Sequence, residues 1–63
     1  MATALTHTIA EIEQFKRELF NELVSSGERI EDARAECECG TYAGWSQIMD
    51  CNTPQSYADL LMM

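Results

Sequence analysis

The feature that most constrains this chain is a broad apolar stripe within the stretch "THTIAEIEQFKRELFNELVSSG". Thr8 followed by Glu11 matches a capping box, and Gly27 stands where a C-terminal cap belongs, which predicts a helix from about Ile9 to Ser25. Seven apolar residues recur at helical spacing: Ile9, Ile12, Phe15, Leu19, Phe20, Leu23 and Val24. At about 100° per residue they cover about half of the helix circumference, which is more than one small partner helix can cover.

The charged residues of this helix are expected to form a solvated face, with one exception. Lys16 falls inside the apolar stripe, where its stem can lie on apolar surface while its ammonium reaches water or a carboxylate. Glu13 and Arg17 are spaced for a favourable i,i+4 pair, whereas Glu18 and Glu22 repel each other at the same spacing.

The chain is too short for its other segments to bury the wide apolar stripe easily. With 63 residues it forms a single small domain, 1–63. A domain of this size buries only about 60% of the surface that its unfolded chain exposes, so it usually needs a disulfide, a metal, an oligomer partner or very good helix packing. The apolar C-terminal stretch "LLMM" should also be buried. We therefore predict an obligate homodimer.

The middle of the chain is less regular. The stretch "ERIEDARAECE" predicts a second helix with only a thin apolar face. Residues 40–52 are ambiguous between helix and strand, because two glycines loosen the pattern. We expect a helix to resume near Gly44, with Trp45, Ile48 and Met49 turned inward.

The two ends of the chain complete the predicted fold. Asn52 or Thr53 can cap a short terminal helix in which Pro54 suits the first position. The Thr-rich stretch "TALTHT" is also compatible with a short strand, whose partner would be the same segment of a second copy. The fold class expected is mainly α, with two principal helices, room for this short N-terminal strand, and assembly as an intertwined homodimer.

The charge balance excludes several kinds of partner. Eleven acidic residues face four basic ones, for a net charge of -7. Direct nucleic-acid binding and an anionic membrane surface are disfavoured, since both require Lys and Arg, and a basic partner fits better. The start "MATALTHTIA" lacks the pattern of a signal peptide, and the longest uncharged run, 39–49, is too short to span a bilayer. The expected location is the cytoplasm.

The cysteine-rich stretch "CECGTYAGWSQIMDC" raises the question of a metal. Zinc accepts ligands such as Cys37, Cys39, Cys51 and His7. However, the C-x-C spacing is unusual for a zinc site, and a whole predicted helix separates His7 from the cysteines in the sequence. Buried cysteines more often act as small apolar side chains. We predict free thiols, no cofactor and a packing seam; a small zinc-binding adaptor remains a third hypothesis, which metal analysis would decide.

No catalytic pattern accompanies the single histidine, His7. The serines lack a nucleophile motif such as G-x-S-x-G, and the chain has no phosphate loop or dinucleotide fingerprint. Trp45, Tyr42 and Tyr57 lack the interleaved Lys and Arg of a base-stacking surface and favour a core or an interface instead. The sequence predicts a protein that is not an enzyme.

Two stretches, "TIAEIEQFK" and "ECECGTYAGWSQIMDCNTPQSYADLL", carry a resemblance. In a short acidic chain they resemble a family of small early proteins of lambdoid temperate phages, encoded between the exonuclease and excisionase genes. The resemblance implies a non-enzymatic accessory factor, made early in infection in the host bacterial cytoplasm, that biases development toward lysis and interferes with host physiology. It also implies a small helical protein that works as a dimer. It assigns no role to an individual residue.

The function predicted is binding of an unidentified host or phage protein through an apolar cleft. The cleft would be framed by the first helix and the region 42–63. Its candidate residues, some of which would instead form the dimer core, are Phe15, Leu19, Phe20, Leu23, Trp45 and Leu61. The alternative is an acidic decoy that mimics nucleic acid for a basic host protein, although its carboxylates are scattered and mixed with Arg17, Arg29 and Arg34.

Overall fold

A computed structural model describes residues 7–62, and this part of the chain is mainly helical, as predicted. Within it there are four helices and no strand: α1 (Ile9–Ser25), α2 (Ile30–Glu38), α3 (Tyr42–Cys51) and α4 (Pro54–Leu61). The helix predicted to resume near Gly44 and the predicted terminal helix are both present, as α3 and α4, beside the two principal helices. The proposed strand over residues 3–8 falls largely outside the described residues.

Helix α1 begins and ends where the sequence predicts. The Thr8 hydroxyl accepts a hydrogen bond from the Glu11 backbone N–H (3.1 Å), and the Glu11 carboxylate accepts one from the Thr8 N–H (2.9 Å). At the other end Gly27 has a φ of 103°, a left-handed conformation that costs glycine little. The N–H groups of Gly27 and Glu28 donate to the carbonyls of Val24 (3.1 Å) and Leu23 (3.0 Å), which is a Schellman motif.

Helix α3 resolves the ambiguity of residues 40–52 in favour of helix. It begins two residues before the predicted start, because the Thr41 hydroxyl accepts a hydrogen bond from the Gly44 N–H (3.1 Å) and acts as the cap. Asn52 ends the helix in an extended conformation, and its side-chain amide donates to the Ile48 carbonyl. Thr53, the second predicted cap, starts α4 through a reciprocal pair of hydrogen bonds with Ser56.

The core forms along α1, on which each of the other three helices packs. Its members are Ile12, Phe15, Leu19 and Leu23 of α1 together with Ala33, Cys37, Trp45 and Ala58. The small side chains of Ala33 in α2 and Ala58 in α4 are buried against α1, which suits close packing of these short helices. The stripe that is too wide for one helix is thus covered from several sides within one chain.

Several large apolar side chains remain on the outside of this arrangement. Ile9, Ile30, Leu60 and Met62 are 52%, 57%, 56% and 41% exposed. The single chain therefore leaves Leu60 and Met62 of the "LLMM" end exposed, as the dimer prediction assumes, while Leu61 is half-buried. Among the described residues, no helix has the length and apolar character needed to cross a membrane.

The cap of α1 gives a stability prediction. Thr8→Ala should destabilise the protein by about 1 kcal/mol, because the Glu11 N–H loses its acceptor. Thr8→Ser keeps the hydroxyl and serves as the control. Thermal unfolding followed by circular dichroism measures the difference, and an unchanged melting temperature for Thr8→Ala would show that Thr8 is not the cap.

The same cap should respond to acid. Hydrogen bonds from the backbone N–H and then the side chain of Thr8 lower the pKa of Glu11 from its usual 4.5. A carboxyl whose pKa is lowered in the folded state stabilises that state above the usual pKa and loses the effect as the pH falls through the lowered value. Glu11→Gln should therefore destabilise the protein less in acid than at neutral pH, which thermal unfolding of the variant and the wild-type chain at both pH values measures.

Candidate functional site

An open apolar cleft lies between α1 and α3. It has a volume of about 420 Å³, which falls in the range of small ligand-binding clefts. Phe15 and Met49 supply its apolar surface, and the carboxylates of Glu11 and Glu18 stand at its rim. Ala10 and Gln14 complete the lining. The cleft is lined by α1 and by Met49 of α3, and its rim is acidic.

The six predicted binding residues divide into two groups. Phe15, Leu19, Leu23 and Trp45 are at most 5% exposed and close the intramolecular core, so of these only the edge of Phe15 reaches the cleft. Phe20 and Leu61 are half-buried and pack against the core while keeping some surface. The structure therefore brings the six residues together, but as core and core margin in the single chain.

Trp45 fixes the position of α3 on α1. Its indole N–H donates to the Cys39 carbonyl (2.8 Å), which satisfies the only polar atom of a nearly buried side chain. The ring lies 6.2 Å from that of Phe15, and the ring of Tyr57 on α4 meets it edge-on at 6.0 Å. The packing seam expected for this stretch is thus built around an aromatic cluster that joins three helices.

The three cysteines differ in burial, and all three are free thiols. Cys37 is 6% exposed, whereas Cys39 and Cys51 are exposed. Burial raises the pKa of the Cys37 thiol, since the thiolate would lose hydration. Within residues 7–62 no group of three or more His, Cys, Asp or Glu side chains is placed to hold a metal ion.

The entrance to α1 is tied to the end of α3 by a contact between a histidine and a carboxylate. The His7 Nε2 atom lies 2.7 Å from a carboxylate oxygen of Asp50, and its Nδ1 atom lies 4.0 Å from Glu11. No sequence pattern indicates this pairing, because the two partners are 43 residues apart. The contact fixes one end of the cleft between α1 and α3.

A second interaction between α1 and α3 replaces a pair predicted within α1. The Tyr42 hydroxyl donates to the Glu13 carboxylate (2.8 Å), and this hydrogen bond raises the pKa of Tyr42. Among the described residues no carboxylate lies within ion-pair distance of Arg17, so the expected Glu13–Arg17 pair does not form. The Lys16 ammonium lies 5.8 Å and 5.9 Å from the ring centroids of Tyr42 and Trp45, in cation–π contact.

Comparisons of the chain with protein-family models, with curated proteins and with solved structures found no match. The geometry of the clefts and the chemistry of their residues are therefore the basis for a function.

The burial of the thiols predicts their reactivity. In the native protein a disulfide exchange reagent should modify Cys39 and Cys51 rapidly and Cys37 slowly, because only a thiolate attacks and the Cys37 thiolate is disfavoured by burial. In denaturant all three should react at one rate. Equal native rates, or stoichiometric zinc that protects the thiols, would contradict the assignment of Cys37 to a metal-free core.

Proposed function

We propose that the protein is a non-enzymatic phage early protein that binds a host or phage protein and thereby favours lytic development. The observation that supports binding is the apolar cleft between α1 and α3. The phage context and the lytic role rest on the sequence resemblance alone.

The partner segment is one that carries an apolar side chain next to Lys or Arg. Met49 is an adaptable side chain that accommodates different apolar groups, and Phe15 gives it a rigid neighbour. Glu11 and Glu18 at the rim favour cations, and the net charge of -7 acts in the same direction at longer range. A basic partner segment with an apolar anchor therefore matches the cleft in both shape and charge.

The competing function is the acidic decoy. Glu11, Glu18 and Glu22 follow one flank of α1, which offers a short row of negative charge. A decoy would bind through this charge alone, so its affinity would fall steeply with salt. A cleft that grips an apolar side chain keeps much of its affinity when surface charges are screened.

Binding at the cleft predicts a specific effect of Met49. Met49→Gln should weaken binding of a peptide in which a leucine is flanked by lysines by about tenfold, the loss expected when one apolar contact of about 1.4 kcal/mol disappears. Met62→Gln, which changes an exposed methionine outside this cleft, is the matched control. Fluorescence anisotropy measures both.

Three results would count against the apolar cleft. If Met49→Gln and Met62→Gln bind the leucine peptide with equal affinity, the cleft between α1 and α3 is not the binding site. Loss of nearly all binding in moderate salt, with no effect of Met49→Gln, would favour the decoy. Absence of any binding by the leucine peptide would remove the proposed partner chemistry.

We also propose that the chain assembles as an intertwined homodimer. The exposed Ile9, Ile30, Leu60 and Met62 support this, since a monomer leaves their apolar surface in water. Leu60→Lys changes a surface position of α4 and spares the core, unlike a substitution at the fully buried Leu19. We expect the wild-type melting temperature to rise with protein concentration and the variant to sediment closer to 7.1 kDa. A folded wild-type monomer at micromolar concentration would contradict the dimer.

A further inference from the structure

A second cleft, on the other side of α1, collects the positive charge of the chain. Three of the four basic residues line it, although the chain as a whole carries eleven acidic ones. Lys16 and Arg17 come from α1 and Arg34 from α2, and the cleft between these helices has a volume of about 280 Å³. The cleft is therefore a local cationic site on a protein whose net charge is negative.

The cations of this cleft have no anionic partner in the described part of the chain. No carboxylate lies within 4.0 Å of the charged nitrogens of Lys16, Arg17 or Arg34. Two carboxylates line the cleft, but that of Glu13 already accepts the hydrogen bond from Tyr42. Three basic groups thus share the cleft with two carboxylates, so its lining keeps a net positive charge, and Glu38 has no hydrogen bond or ion pair among the described residues.

The lysine is positioned and not merely exposed. Lys16 is half-buried, and its ammonium lies close to the rings of Tyr42 and Trp45. Such contacts restrict a side chain that is otherwise free to rotate, so less conformational entropy remains to be lost when an anion binds.

The bottom of the cleft is apolar. Phe20, one of the six residues selected from the sequence, is half-buried there, and the nearly buried Cys37 lies beside it. Because the Cys37 thiol stays protonated in this environment, it adds no negative charge to the cleft. A ligand can therefore place an apolar group on Phe20 while its anionic groups meet the surrounding cations.

We propose that this cleft binds an acidic peptide segment of a partner protein, in which an aromatic or aliphatic residue is flanked by Asp or Glu. The apolar side chain lies against Phe20, and the carboxylates pair with Lys16, Arg17 and Arg34. Arginine offers a planar fork that matches the two oxygens of a carboxylate, so two arginines at the rim suit this ligand. The site is separate from the cleft between α1 and α3 and does not depend on the function proposed for it.

The charge of the rest of the protein restricts the ligand further. A nucleic-acid strand carries a charge at every phosphate and would extend past the cleft into the field of a chain whose net charge is -7. A short segment with a few carboxylates stays within the cationic cleft, at distances shorter than the Debye length of about 8 Å. The distribution of charge thus favours an acidic peptide over a polyanion.

The test uses a peptide in which one phenylalanine is flanked by glutamates, labelled with an uncharged dye and followed by fluorescence anisotropy. Arg34→Gln and Lys16→Gln should each weaken binding about threefold to tenfold, as expected for loss of one accessible ion pair. Arg29→Gln is the matched control, since it removes the same charge outside the cleft. Replacing the phenylalanine of the peptide with serine should weaken binding by a similar factor.

Each contrary outcome overturns the proposal in a distinct way. An equal loss for Arg29→Gln means that the peptide responds only to net charge. If the serine peptide binds as tightly as the phenylalanine peptide, the ligand makes no contact with Phe20. If a single-stranded oligonucleotide binds as tightly as the peptide or more tightly, the ligand is a polyanion and not an acidic peptide. If the acidic peptide does not bind at millimolar concentration, the cleft is not a peptide-binding site. Circular dichroism confirms that each variant is folded, and Met49→Gln, which disables only the other cleft, should leave binding of the acidic peptide unchanged.

Discussion

Burial of one stripe of α1 is the interaction on which the rest of the structure depends. Ile12, Leu19 and Leu23 are fully buried along this stripe, although α1 is flanked only by helices of 9, 10 and 8 residues. Isolated helices of that length are marginal in water. Each of the three packs on α1, so their stability is that of the shared core and not of the single helices. The same arrangement creates the clefts, because each lies between α1 and a neighbouring helix.

The parts of the fold that the sequence predicted correctly are those that depend on local chemistry. The Thr8 cap, the Gly27 turn and the apolar spacing of α1 all involve residues a few positions apart. The missed part is how the stripe is covered, because this depends on contacts between distant residues: Ala33 and Ala58 permit close approach of two helices, and Trp45 joins α3 to the core. The width of the stripe predicts a partner subunit, and three short helices of the same chain cover most of it.

The candidate site was only partly predictable, for a related reason. Apolarity does not separate core residues from binding residues, so the predicted set includes Leu19 and Trp45, which lie inside the single chain. Phe20 is half-buried and keeps some surface, which apolar spacing alone does not reveal. The sequence does not predict the cationic cleft, because Lys16 and Arg34 are far apart in the chain. In addition, the spacing of Arg17 predicts an ion pair with Glu13, whose carboxylate accepts a hydrogen bond from Tyr42 instead. Together, the clefts give α1 an acidic rim on one side and a basic rim on the other, an arrangement suited to contacting two segments of opposite charge.

The central claim is that α1 separates two binding surfaces of opposite charge. The most direct test is an amide NMR titration of the wild-type protein with the basic leucine peptide and the acidic phenylalanine peptide, each alone and then together. We predict two separate sets of shifted resonances: one around Glu18 and Met49 for the basic peptide, and one around Phe20 and Arg34 for the acidic peptide. Neither peptide should displace the other. A single shared set of shifts, or displacement of one peptide by the other, would contradict the claim.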